Sequence, residues 1–304
     1  MTAEEKLQKK EQKRNQKKRN KQAVEKHRGL LWGGSILVLL ISIIHLSPLY
    51  LLAVNSFKTR EQLYENVMAL PTSYSFQYFR TAMERMNFLT SFLNSLLITV
   101  VSVALIVITS SMTAWVIARN QDRWWARALY LTFIATMLIP FQTVMMPLVQ
   151  FFGSVQDYTG IQVLNTRWGL IFMYIGFGAA MSVFLYNGFI KSIPYSLEEA
   201  AYLDGASKGT VFFRVIFPML KPITNTVVIL NVIWIWNDYL LPSLILADES
   251  KRTIPLSTFS FFGQFTIQWN LAMAGLLMTI LPVIIFYAFA QRSIIHGVAN
   301  GAVK

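Results

Sequence analysis

The sequence predicts an all-α polytopic membrane fold with six transmembrane helices and both termini in the cytoplasm, on three observations. The 304 residues are 54% hydrophobic and only 14% charged, with a mean hydropathy of +0.45, which is too apolar for an ordinary soluble domain. Six apolar stretches, at roughly 33–54, 88–118, 128–155, 168–190, 223–247 and 271–290, are each long enough to cross a hydrocarbon core of about 30 Å at about 1.5 Å per residue. In an alternating six-span arrangement, 20 of the 27 Lys and Arg residues fall on the side that carries both termini and 7 on the other, which orients that side toward the cytoplasm.

The segments follow in order. Residues 1–30 hold eleven Lys/Arg and four Glu, accounting for most of the formal net charge of +12. Without aromatic residues for base stacking, and placed directly before a span, this arm reads as a disordered, lipid-attracted topology anchor and not as a nucleic-acid binder. The first span is too long, and too far from the start of the chain, for a cleaved signal peptide. It carries His45, which reads more readily as a hydrogen-bonded packing residue than as a proton relay. The second span contains Asn94-Ser95, and the third contains Pro140 and Pro147, whose freed backbone carbonyls need protein or a water-lined cavity around them. In the six spans together the one Asp, Glu, Lys or Arg is Asp238, in the fifth. Residues 31–290 thus form a single membrane domain, followed by a cytoplasmic tail over 291–304.

Two regions carry functional signals. The fifth span, ITNTVVILNVIWIWNDYLLPSLILA, places Asn231, Trp234 and Asp238 at i, i+3 and i+7, expected on one helix face. Trp234 to Asp238 lie roughly 17–23 Å from the cytoplasmic end at about 1.5 Å per residue. Indole, amide and carboxylate can together stack on and hydrogen-bond a sugar, so Asn231, Trp234, Asn237, Asp238 and, in the second span, Asn94 are substrate-path candidates. The same residues are compatible with helix–helix hydrogen bonding and interfacial anchoring.

The second region is the cytoplasmic connection over 191–222, too long for a turn and fenced by Pro194 and Pro218. Ser196 and Glu199 have capping-box spacing; Leu197, Ala200, Ala201 and Leu203 are expected to form the apolar side of a short helix. Gly205 permits a sharp exit, and Ser207 is placed to cap a second short helix containing Val211, Phe212, Val215 and Ile216.

Glu199-Ala200-Ala201, three residues, Gly205, nine residues and Val215-Ile216-Phe217-Pro218 resemble the EAA loop of ABC importer permeases, with Val215 and Phe217 as conservative departures. The likeness extends over about residues 45–304, through Ser47-Pro48, Asn55-Ser56-Phe57-Lys58, Ala118-Arg119, Ile139-Pro140 and Trp236-Asn237-Asp238. It is closest to the second-permease type of the maltose and multiple-sugar importers. The resemblance implies a coupling role for Glu199, Ala200, Ala201, Asp204, Gly205 and Pro218 against a separate ATPase. It also implies a non-identical second permease, two ABC ATPase subunits or sites, an extracytoplasmic solute-binding protein, and a place in a bacterial or archaeal cytoplasmic membrane.

The chain has no Cys, no metal-ligand spacing, no nucleophile elbow and no G-x-x-x-x-G-K-[ST] loop. An enzyme is therefore not expected, nor a cofactor in this chain; ATP and Mg belong to a partner. The alternative is a secondary transporter driven by an ion gradient through Asp238.

Overall fold

The computed structural model describes residues 34–262 and 267–302, so the basic arm over 1–30 lies outside the described residues. Thirteen helices organise them. The first, α1 (Gly34–Asn55), is apolar throughout and scarcely buried until its last turn, where Leu52, Val54 and Asn55 pack. Beyond it Lys58, also buried, donates its ammonium protons to the carbonyls of Asn66 (2.9 Å) and Val67 (3.3 Å). This ties the end of the first span to the connection that holds α2 (Arg60–Glu65) and α3 (Gln77–Arg85). Helix α2 begins with a reciprocal capping box between Thr59 and Gln62.

The centre of the molecule is the pairing of α4 (Phe88–Arg119) with α7 (Arg167–Ile190). Their amphipathicity is that of a membrane protein. On α4 the buried face is small and polar, including Ser91, Asn94, Ser95, Thr99, Ser102, Ser110, Ser111 and Ala114, whereas Leu89, Leu93, Leu96, Leu97 and Val100 point outward. Lipid tails solvate leucine as well as a protein interior does, so association rests on close approach of small side chains and on interhelical hydrogen bonds. Gly178 of α7 shows how close: a Cβ there would lie 2.6 Å from Ile106 Cδ1 and 2.9 Å from Asn231 Oδ1.

Among the described residues four helices are long and apolar enough to cross a membrane, or up to six if each of two bent pairs, Trp124–Met137 with Phe141–Thr159 and Lys208–Met219 with Lys221–Asn237, counts as one span. The first, second, fourth and sixth predicted spans are single long helices; the third and fifth are corrected. The third, expected as one helix over 128–155, is broken into α5 (Trp124–Met137) and α6 (Phe141–Thr159), which meet at 105°. The cause is Pro140, which offers no N–H and disfavours helical geometry at the residue before it. Pro147, by contrast, is carried inside α6.

The connection over 191–222 forms α8 (Ser196–Leu203) and α9 (Lys208–Met219), the latter with a π-helical turn over Phe212–Ile216. Helix α9 meets α10 (Lys221–Asn237) at 78°. The fifth span was expected to run to residue 247; instead α10 stops at Asn237. Asp238 is extended (φ −73°, ψ 127°) and its Oδ1 accepts from the Leu240 N–H at 3.0 Å, a local turn that competes with helix. Asp238 therefore leaves the helix face that it was predicted to share with Asn231 and Trp234. Two short helices, α11 (Leu240–Ile245) and α12 (Ile254–Thr258), precede α13 (Trp269–Ala302), whose backbone continues through the boundary predicted at residue 290. A satellite core of Ala82, Met86, Phe261, Leu271, Ala272 and Ala274 joins α3 to α13.

Candidate functional site

The element formed by α8 and α9 is built as two helices around one turn. Gly205 adopts φ +81°, in the left-handed region, and reverses the chain between them. Ser207 caps α9, its Oγ accepting from the Thr210 N–H at 3.3 Å, as its position in the sequence predicts. Val211, Phe212, Ile216 and Leu220 are fully buried and merge with the main core, with Phe212 tilted against Trp115 at 5.4 Å between ring centroids.

Helix α8 differs from its predicted form in two respects. Ser196 is its first residue and not its cap; Tyr195 occupies the cap position, and no side-chain capping bond forms. The buried face is also not the apolar one. Leu197, Ala200 and Leu203 are exposed, Leu203 at 89%, and Ala201 is half-buried, whereas Glu198 is buried at 1%.

A buried carboxylate needs donors, and α4 supplies them. Glu198 Oε1 accepts from Arg119 Nε at 2.7 Å, and Oε2 accepts from Trp115 Nε1 at 3.1 Å. Arg119 also donates through Nη2 to the Ile193 carbonyl at 3.1 Å and lies 5.6 Å from the Tyr195 ring centroid. Neither Glu198 nor Trp115 was singled out in the sequence, and Arg119 figured only as a cytoplasmic charge and as part of the Ala118-Arg119 pair in the family resemblance. The one available signal was that Trp115 and Arg119 are spaced i, i+4.

Of the coupling residues named from the resemblance, Glu199, Ala200, Asp204, Gly205 and Pro218 lie on the exposed surface of this element and Ala201 half inside it. Together with Leu203 they present a mixed apolar and acidic face built on a buried ion pair.

The substrate-path candidates are dispersed. Asn231 is buried, donating through Nδ2 to Ser182 Oγ on α7 (3.1 Å) and to its own helix at the Val227 carbonyl (2.9 Å). Trp234 is 40% exposed and meets Tyr174 edge-on at 5.4 Å; Tyr174 in turn donates its hydroxyl proton to Asp238 Oδ2 at 2.9 Å. Asn237 is exposed and donates to the Ile233 carbonyl at 2.7 Å. Asn94 lies apart, donating to the carbonyls of Ser250 and Arg252, both at 3.0 Å, while neighbouring Ser95 Oγ accepts from the Ile254 N–H at 2.8 Å. These two residues hold the 250–254 segment against α4.

Between α4, α10 and α13 runs a groove of about 720 Å³ lined by Phe92, Leu96, Trp236, Leu281 and Phe286, with Asn237 and Thr99 as its polar members. Among the described residues no group of three or more His, Asp or Glu side chains could hold a metal ion.

Residues 106–298 match the family described as the binding-protein-dependent transport system inner membrane component. The chain belongs to that family. The permease is 46% identical to the probable starch degradation products transport system permease protein AmyC of Thermoanaerobacterium thermosulfurigenes, over 270 residues that span 89% of its own length and 96% of the relative's. It is 36% identical to the multiple sugar-binding transport system permease protein MsmG of Streptococcus mutans, over 90% of its length and 95% of the relative's. To the melibiose/raffinose/stachyose import permease protein MelC of Bacillus subtilis it is 35% identical, over 89% and 95%.

Its fold is similar to a chain of a bacterial ABC transporter involved in import of the acidic polysaccharide alginate, with a TM-score of 0.71, 21% identity, and coverage of 85% of the permease and 94% of that chain. The permease is accordingly a multi-pass component of the cytoplasmic membrane, a transport subunit and not an enzyme.

Proposed function

We propose that the permease forms one transmembrane half of an ABC importer for a sugar or oligosaccharide, delivered by an extracytoplasmic binding protein and driven by a separate ATPase seated on α8 and α9. The observation that carries this reading is the form of α8: apolar and acidic side chains face outward at the cytoplasmic surface, on a helix anchored from below by a buried ion pair. A helix exposing Leu203 and Leu197 beside Glu199 and Asp204 is suited to a complementary protein groove. ATP and Mg are bound by the ATPase, since this chain has no phosphate-binding loop of its own. A second, non-identical permease completes the pathway.

The sugar assignment is supported by the carbohydrates named for the three relatives. Trp234 and Asp238, held by Tyr174, are the residues proposed to face the solute. The ion-driven alternative leaves α8 and α9 without a role.

The test is affinity purification of the permease from its native membrane in mild detergent, beside a Gly205→Pro variant. Proline cannot adopt φ +81°, so the turn between α8 and α9 must rearrange. An ATPase and a different permease are expected with the parent, and loss of the ATPase from the variant. A parent chain that purifies with no ATPase would overturn the reading. Uptake of labelled maltotriose, raffinose and melibiose, each chased with the others, tests the solute class.

A further inference from the structure

The ion pair between Glu198 and Arg119 links two parts of the chain that the sequence separates by two spans, the broken third and the fourth. Glu198 sits on α8, and both of its oxygens are taken by the last turns of α4, from Arg119 and Trp115. Arg119 simultaneously grips the Ile193 carbonyl and the Tyr195 ring, so the segment leading into α8 and α8 itself are held to the same end of α4. Apart from Glu198 and the half-buried Ala201 and Tyr202, α8 is exposed. Glu198 is thus the fully buried residue of α8 and joins that helix directly to α4, beside the packing of Ala201 and Tyr202 on the core.

The other end of α4 is also attached. Asn94 and Ser95, about 37 Å away along the helix at about 1.5 Å per residue, hold the backbone of Ser250, Arg252 and Ile254. Helix α4 is continuous between the two attachments, with no proline inside it.

We propose that Glu198 and Arg119 form a strut through which displacement of α8 is imposed on α4, and through α4 on the 250–254 segment at the opposite face of the membrane. This rests on the reading that an ATPase seats on α8 and α9. Glu198 is then a positioning residue, acting through Arg119 and touching neither solute nor nucleotide. The covalent route, from α8 through Gly205 and α9 into α10, moves the fifth span; the strut moves the second along with it.

Because the chain lacks cysteine, two introduced cysteines are its only labelling sites, and any cysteines of the partner subunits are first replaced by serine. Leu89→Cys, at the far end of α4, and Ser196→Cys, on α8, both replace exposed residues. In the full complex, reconstituted in nanodiscs, the distance between the labels is measured without nucleotide and after trapping with ATP and vanadate. With the strut intact, the distance is expected to hold within about 2 Å between the two states, the scale of small helix shifts. In Glu198→Gln and Arg119→Gln it is expected to change by more than that, with the ATPase still bound, whereas Arg119→Lys, which keeps the charge pair, behaves more like the parent.

A parent distance that changes by more than about 2 Å on trapping overturns the strut, because α8 then moves independently of α4. So does an unchanged distance in Glu198→Gln. If the Gln variants fail to assemble, the parent measurement still decides. A parent complex lacking an ATPase is a separate failure: it removes the reading on which the strut rests and the strut with it.

Discussion

The two ends of α4 are fastened by different chemistry. At the Arg119 end a buried carboxylate meets a guanidinium and an indole N–H; at the other end an amide and a hydroxyl meet backbone groups of residues 250–254. A charge-assisted pair is strong when complete and severely destabilising when one partner is removed, because the survivor is a buried charge. Neutral bonds to backbone are individually weaker and, when broken, leave only uncharged groups unsatisfied, here two carbonyls and the Ile254 N–H. The junction at Arg119 therefore behaves as all-or-none, whereas the one at Asn94 can loosen by degrees.

The sharpest way to break this contrast is Glu198→Ala. It strands Arg119, whose side chain is only 16% exposed, and is expected to cost about 3–5 kcal/mol, seen as a large fall in thermal stability in detergent. A loss below about 1 kcal/mol would mean that the guanidinium finds water or another partner, and that the junction is no stronger than an exposed pair.

Next is the crossing between the two ends. Gly178→Val places side-chain carbons where Ile106 and Asn231 already lie, and is expected to cost about 1–3 kcal/mol and to separate α4 from α7. Cross-linking efficiency between cysteines placed on those helices reads it directly. The Asn94 end follows: Asn94→Ala removes the donor shared by the carbonyls of Ser250 and Arg252, for about 1–3 kcal/mol at most, and is expected to raise tryptic cleavage at Lys251 and Arg252. Were Asn94→Ala as damaging as Glu198→Ala, the two ends would not differ in kind.

The smallest expected effect is at Asp248. The Ser250 backbone N–H, the Ser250 hydroxyl and Lys251 hold its carboxyl below the usual range. With the folded value depressed, the contribution is complete above the ordinary carboxylate range and is lost as pH falls through the lower, folded value. Amide exchange at Ser250, corrected for intrinsic rates, is expected to rise only in that acidic window.

Much of this was legible in the sequence because the relevant signals are local. A span is announced by its own length and hydropathy, Ser207 by its place before a helix, and Gly205 by a turn that no other residue makes as easily. What escaped needed a partner to be known. The chain around residues 196–203 has two adjacent glutamates and an apolar pattern that favours burying Leu197 and Leu203. The outcome depends on Trp115 and Arg119, some eighty residues earlier, which make it favourable to bury Glu198 instead. Likewise Pro140 was visible, but nothing local sets an angle of 105°. The end of α10 was hidden because Asp238 was read as the last member of a helical face, when its carboxylate serves Leu240 and Tyr174.

The bend between α5 and α6 also bears on how the permease meets its lipid. At about 1.5 Å per residue the fourteen residues of α5 extend only about 21 Å, short of a hydrocarbon core of about 30 Å. The 32 residues of α4 exceed that thickness. Hydrophobic mismatch costs fractions of a kcal/mol per ångström and is relieved by whichever segment yields most readily. Here that segment is the Leu138–Pro140 joint, whose angle can open or close while the close-packed pair α4 and α7 keeps its register. Acyl-chain length should accordingly alter the labelling of Leu138 and Ile139 well before it disturbs the ion pair beneath α8.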